Sequence, residues 1–367
     1  MIVIDNHAHS LRRDFLLMDG LDFRRVFSES SSLKVIENDV PVSAAYRRAL
    51  RLLGARLGVD EIEEEEYLRL RQSMEPADFI KDLFDEVSLG AILLDDGYGG
   101  PDFISIDELS LLSGRPIHRV LRLETLMESL IEKSNDLDRL IVSMFESLSA
   151  PEVVALKTIA AYRGGFPVGD PSHAQAASEL RSLSDAGGGK IRMAGGPCHH
   201  YLLRRALEQA GSMGMPVQVH CGFGDSDLDL SRCDPALLTG LFREFRKTDF
   251  VLLHCYPFVG QAAYLTSVYP NIYMDLSLAS FLLPGLLHRL FQEALNVAPP
   301  TRLLAGSDGH TTPETHYLGI LNTRDTLERV LGEMVAEGIM SASQAEEATA
   351  SILFDNARRL YELSARG

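Results

Sequence analysis

The sequence predicts an α/β chain folded as a (β/α)8 barrel of the TIM type, with a helical insertion after the first strand and extra helices at the C-terminus. Three observations point there. Eight short apolar runs rich in β-branched residues alternate with amphipathic stretches, the pattern of parallel strands joined by crossover helices. Metal-capable side chains stand at the C-terminal ends of several runs, the end at which such barrels build their sites. The 367 residues, 46% of them hydrophobic, supply a core large enough for one such domain, so 1–367 reads as a single barrel.

The predicted strands are 2–6, 90–94, 119–123, 153–159, 216–221, 250–255, 272–276 and 302–306. Helical periodicity fills several of the gaps, as in 201–210 and 235–246. Residues 10–88 hold few strand signals and a charge-rich helical stretch, 44–73, and read as an insertion or cap on the first βα loop, over the site. The acidic run 60–66 is expected to be a solvated helix face rather than a cation site. Residues 321–363 give further helices, ending in an amphipathic segment with Ile352, Leu353, Ala357, Leu360 and Tyr361 on one side.

Charge narrows the partners. Lys and Arg number 35 against 52 Asp and Glu, a net charge of -17, which repels nucleic acid and anionic membranes and favours a small-molecule substrate. The four cysteines, Cys198, Cys221, Cys233 and Cys255, show no CxxC spacing, which fits reduced thiols in a cytoplasmic protein. Met1 leads directly into an apolar strand without the marks of a signal peptide, and no apolar run is long enough to span a bilayer.

His7 and His9 lie two apart at the end of the first run, where a period of two puts both imidazoles on one face. Alone, His-x-His is weak evidence for a metal. His220, His254 and Asp308 end three further strands at the same mouth of the barrel, and that convergence points to a zinc-type site. Cys221 and Cys255 should face the opposite way, against helices. Lys157, in the fourth strand, is the odd member, since an ammonium beside a dication is repelled. Carboxylation to a carbamate that bridges two ions is one resolution; a lysine turned towards an anionic substrate group, or snorkelling at the strand end, are the others.

The ordered set, His-x-His in strand one, Lys in strand four, His in strands five and six and Asp in strand eight, resembles the amidohydrolase superfamily. The segments VIDNHAHS, LKTIAAYRGG, VQVHCGFGD, LLHCYP, NIYMDLSL and LLAGSDGH resemble its amidohydrolase-2 branch, which also holds metal-dependent decarboxylases. They are most similar to the amidohydrolase-like modules that occur joined to glutamine-synthetase-like domains. The likeness runs from residue 2 to 310 and takes in ILFDNARRLYEL, whereas 10–88 match no motif. The resemblance implies His7, His9 and Asp308 on one ion, His220 and His254 on a second, a carboxylated Lys157 between them, and Asp308 as the group that handles the proton. With one ion only, it implies His254 as acid or base, as in the decarboxylases. A glutamine-synthetase-like partner would be a separate protein, and a homo-oligomer stays open.

Around this set, Arg122 and Arg163 end or follow strands and could hold a substrate carboxylate, or equally form rim ion pairs with Glu124 or another acid. His310 is a candidate to polarise a substrate oxygen. Asp225, Asp227 and Asp229 resemble a calcium loop but lack its glycine and closing glutamate, which leaves Asp225 as a candidate for a substrate amine. Cys198, His199 and His200 precede a helix and read as a capping region. Three functions follow: hydrolysis of an amide or related C–N bond, non-oxidative decarboxylation, and a non-catalytic interaction module. The complete ligand set disfavours the last. The charge makes a prediction of its own: in a mobility-shift assay at physiological salt the protein leaves duplex DNA unshifted.

Overall fold

The computed structural model describes residues 1–185 and 191–363. Seven parallel strands follow one another in chain order around a curled sheet: β1 (Val3–Ala8), β2 (Leu89–Asp95), β3 (Ile117–Arg122), β4 (Val153–Thr158), β5 (Val217–Cys221), β6 (Phe250–His254) and β7 (Ile272–Met274). With helices outside, this is the α/β barrel expected. Alternation sorts the strand residues into two layers. Ile4, Ala91, Leu93, Val120, Ala155, Val251, Leu253 and Leu304 pack together, while Val3, Ile92, Leu121, Leu156, Val219 and Leu252 belong to the larger cluster shared with the helices.

The predicted eighth strand is present only as an extended segment. One bridge, Met274 to Leu303, joins it to β7. On its other edge the Asn6 amide donates to Ala305 and the Asp308 amide to His7, both at 2.8 Å. A regular ladder fails because other acceptors take its donors: the Ala305 amide goes to the Ile352 carbonyl and the Ser307 amide to the Asp5 carboxylate. The segment still closes the barrel.

Two departures from strand geometry set the site. Between Asp5 and Ala8, β1 spends three residue steps against two on β2, Ile92 to Leu94, a bulge. Ile4 turns inward before it, and within it the adjacent Asn6 and His7 both do so, so the period of two does not run unbroken to the histidine pair. In β6 the inward Val251 and Leu253 would turn His254 outward. Left-handed backbone at His254 (φ 67°) and Cys255 (φ 60°) reverses the phase, returning the imidazole to the interior and Cys255 to the helix layer. Such conformations cost non-glycine residues of the order of 1–3 kcal/mol and tend to mark working sites.

Between β1 and β2 lie the helices Gly20–Arg25, Ala44–Arg56, Glu64–Arg71 and Pro76–Glu86. Ser43 caps the second by accepting the Tyr46 amide, and Pro76 opens the fourth, where its missing N–H costs nothing. The acidic run is solvated except at Glu64, which holds Arg24 through two bonds of 2.7 and 2.8 Å and the Tyr46 hydroxyl. The insertion is pinned to the barrel by Arg71 and Glu314, both fully buried with N···O 3.2 Å, with Tyr67 donating to the same carboxylate. The stretch 235–246 is a 3-10 turn (Pro235–Leu238) and a short helix (Thr239–Glu244). After the barrel come Pro313–Ala336, Ala342–Ala350 and Asn356–Leu360; from the last, Ala357, Leu360 and the adjoining Tyr361 plug the inner layer from below. Among the described residues no helix is long and apolar enough to cross a membrane.

Removing one partner of a buried pair strands the other charge, at a typical cost of about 3–5 kcal/mol. Arg71→Ala and Glu314→Ala should each lower urea stability by about that much, and the double variant by clearly less than the sum.

Candidate metal centre

At the C-terminal mouth, Asp308 is brought against β1 by its own amide's bond to His7 and by the His9 amide's bond to Gly309. Its Oδ1 lies 3.2 Å from His7 Nε2 and 3.3 Å from His9 Nε2. Neither contact has hydrogen-bond geometry, so Oδ1 is a buried acceptor without a donor. Donor atoms of the three residues lie within 4.8 Å of one another, the one such grouping among the described residues. Converging lone pairs with no proton between them fit a divalent cation.

Hydrogen bonding selects the tautomers. His9 Nδ1 lies 3.0 Å from the Asp95 carbonyl, which can only accept, so Nδ1 carries the hydrogen and Nε2 the lone pair. The Ser277 hydroxyl donates to Asp275 at 2.8 Å and therefore accepts from His254 Nδ1 at 2.9 Å, which frees His254 Nε2 as a lone pair. Asp275 also holds the His254 amide at 2.8 Å and Asn6 Nδ2 at 2.8 Å. Asp5 serves the other side, accepting from the amides of Ser307 and His7.

Electrostatics agree. Burial, then the charge of Lys157, lowers the His7 pKa to about 3; burial likewise holds His220 and His254 well below the imidazole range. All three are neutral ligands near pH 7. Burial works to raise the Asp308 carboxyl, but His254, His7 and His9 together pull it well below the ordinary carboxylate range.

His220 and His254 stack with ring centroids 4.5 Å apart, and His254 Nδ1 is 3.7 Å from Asp308 Oδ2, so both join the cluster. His220 Nε2 is buried without a partner. Lys157 Nζ lies 2.9 Å from His7 Nε2, and burial lowers its pKa to about 8. Hence all six residues of the expected metal set meet in one place.

A cavity of about 410 Å³ opens above them, lined among others by Arg122, Arg163, Asp225 and His310. The arginines do form ion pairs, though with other acids than Glu124. Arg122 donates through Nε and Nη2 to Asp95, and Arg163 through Nε and Nη2 to Glu128. Each keeps Nη1 without a hydrogen bond among the described residues. Glu124 is spent on Thr158, the Ile159 amide and His199. His310 Nδ1 lies 3.0 Å from the Asp308 carbonyl, so the neutral ring offers an acceptor at Nε2 rather than the donor needed to polarise a substrate oxygen. His200 Nδ1 accepts the Gly169 amide, and Cys198, His199 and His200 sit in the first turn of Pro197–Met213, away from the metal cluster.

Arg25, Glu29, Tyr98, Tyr162 and Arg192 also line the cavity and were not singled out by sequence. Arg25 and Glu29 belong to the insertion, where no motif marks them. Tyr162, five residues after Lys157 in AAYRGG, carried the one readable signal: it follows the fourth strand at the catalytic mouth.

Residues 152–363, more than half of the chain, match the amidohydrolase family. The chain belongs to that family. A candidate metal-dependent hydrolase from Lactobacillus casei ATCC 334 superposes on this chain with a TM-score of 0.87 at 27% identity, covering 98% of this chain and 95% of that one. Uronate isomerase from Thermotoga maritima shares the fold, with a TM-score of 0.69 at 15% identity over 98% and 94% of the two chains. Protein fluG of Emericella nidulans is 29% identical over 99% of this chain, which spans 46% of that protein's length.

The donor set predicts a metal dependence that can be read without turnover. Asp308→Asn should lose bound divalent metal, by metal analysis of the purified protein, while keeping its far-UV spectrum. Ser277→Ala, which frees the His254 ring, should weaken divalent-metal binding in a chelator competition by roughly 10–100-fold.

Proposed function

We propose that this amidohydrolase cleaves an amide or related C–N bond of a small, carboxylate-bearing molecule with the help of zinc-type cations. The observation that supports it is the convergence of His7, His9, Lys157, His220, His254 and Asp308 under one cavity. His7, His9 and Asp308 would hold one ion, His220 and His254 a second, with a carboxylated Lys157 shared between them. Such ions lower the pKa of water from 15.7 towards about 7 and polarise a carbonyl. The candidate hydrolase from Lactobacillus casei, which covers nearly the whole chain, supports metal-dependent hydrolysis over the alternatives.

The protein's own residues supply the rest. Asp308, its carboxyl well below the ordinary carboxylate range, accepts a proton from the attacking water and passes it to the leaving nitrogen as the C–N bond breaks. Nη1 of Arg122 and of Arg163 orients a substrate carboxylate. Because both guanidiniums are already paired, they position that group without adding net positive charge.

Burial prepares Lys157 for carbamate formation. With its pKa lowered to about 8, roughly a tenth of the side chain is a neutral amine at pH 7. That amine attacks carbon dioxide, forms the N–C bond and releases one proton. The second reading is a one-ion decarboxylase with His254 as acid or base, favoured by the single group of converging donors among the described residues, His7, His9 and Asp308.

The two readings part experimentally. On the first, protein equilibrated with 13C-bicarbonate shows a carbamate carbon resonance that Lys157→Ala removes together with zinc and amide hydrolysis, and short-chain carboxylates restore part of both. A metal-loaded protein with no such resonance, inert towards a panel of amides and active on aromatic acids, would establish the second.

A further inference from the structure

The cavity above the metal cluster has a neighbour. A second hollow of about 530 Å³ lies between the loop that leaves β2 and the helix-facing side chains of β2 and β3. Leu94, Phe103, Ile104, Ile106 and Ile117 give it apolar walls. Its one lining cation among the described residues, Arg119, is paired with Asp96 at 2.7 Å and Glu152 at 3.2 Å, so the hollow offers no free charge to an anion. Among the described residues Tyr98 alone lines both spaces.

The Tyr98 ring stands between the two. On the metal side it lies against His9, with ring centroids 5.0 Å apart, and against His310 at 6.1 Å; on the other side it meets Phe103 edge-on at 5.6 Å. The loop is built to hold it there. A Cβ on Gly97 would lie 2.5 Å from Arg122 Cβ, and one on Gly99, whose φ of 103° already favours glycine, would collide with the Phe103 ring. The Phe103 side is in turn tied to the chain just past His9: Arg12 forms a bridge with Phe103, the Ser10 hydroxyl donates to the Ile104 carbonyl, and the Ile104 amide donates to Leu11 at 2.8 Å. A ring fixed from both sides is a wall. Tyr98 nevertheless stays 43% exposed, so the core does not depend on it.

We infer that Tyr98 is a specificity-determining residue, a partition that confines the substrate to the metal-side cavity and denies its apolar portion the hollow behind. The inference deepens the reading of a small, carboxylate-bearing substrate and rests on it. Arg122, one carboxylate anchor of that reading, packs against Gly97, so a chain held at its Nη1 starts beside the Tyr98 loop. With the ring in place, about 410 Å³ has to hold the whole ligand. Without it the two spaces join, and each further methylene finds apolar walls to leave water for.

The test is a chain-length series. Straight-chain carboxylic acids of roughly two to eight carbons, a span over which each buried methylene adds about threefold to fourfold in affinity, are titrated calorimetrically into the metal-loaded protein freed of unbound metal. For the native protein affinity should climb over the first members and then stop. Tyr98→Ala should keep climbing, so that the longest acid binds it at least tenfold more tightly than it binds the native protein, while Tyr98→Phe, which keeps the ring, should keep the stop. A native affinity that climbs to the longest acid, an unchanged stop in Tyr98→Ala, or loss of the stop in Tyr98→Phe would each overturn the partition. Failure of every acid to bind either protein would overturn the carboxylate reading and the partition with it. Cleavage of amides is scored apart. A length limit without cleavage supports the partition while refuting amide hydrolysis, and cleavage without a length limit refutes the partition while upholding hydrolysis.

Discussion

Everything at the catalytic mouth depends on the seam between β1 and the segment 303–309. Three backbone bonds make it, Asn6 to Ala305, Asp308 to His7 and His9 to Gly309. The same bonds that shut the barrel set the Asp308 carboxylate against two imidazoles. Because Asp5 and Ser307 replace part of the ladder with side-chain bonds, the seam is less regular than the other strand pairs and more specific to one register. Closing the fold and assembling the donor set are one event.

Around that seam the interior is built from neutralised charges. Asp95 answers Arg122, Glu128 answers Arg163, Glu314 answers Arg71, and Glu124 receives Thr158 and His199. Buried carboxylates that gather their own donors are satisfied without drawing on the site's ligands. The donor atoms of His7, His9 and Asp308 are thereby left to face one another, an arrangement whose burial a divalent cation would relieve.

The strands and the metal-capable residues were legible because each depends on local pattern: alternation along a strand, and the position of His7, Lys157, His220, His254 and Asp308 near strand ends. The phase of those strands was not. The bulge in β1 and the left-handed turn at His254 shift which residues face inward, and both arise from contacts with Asp275 and with the seam, hundreds of residues away or across the sheet. The pairing of Arg122 with Asp95 was illegible for the same reason: Glu124 is nearer in sequence, but helix Leu123–Ile131 turns it towards Thr158. Glu29 and Arg25 left no trace, since a cap contributes to a cavity through its docking, which Arg71 and Glu314 decide, and not through a motif of its own.

Tyr361 gives the barrel a property of timing. Its hydroxyl donates to Asn6 Oδ1 at 2.6 Å and accepts from Gln218 Nε2 at 3.1 Å, directly beneath the level of His7 and His220, and Asn6 in turn holds Asp275. The floor under the site is thus laid by a residue 355 positions after the one it fixes. During synthesis the chain must keep β1 and its histidines waiting while more than three hundred residues emerge, and long-range closure of this kind is slow. A nascent chain that has not yet supplied Tyr361 holds the ligands of the centre but lacks the floor that fixes Asn6 and Gln218 beneath them.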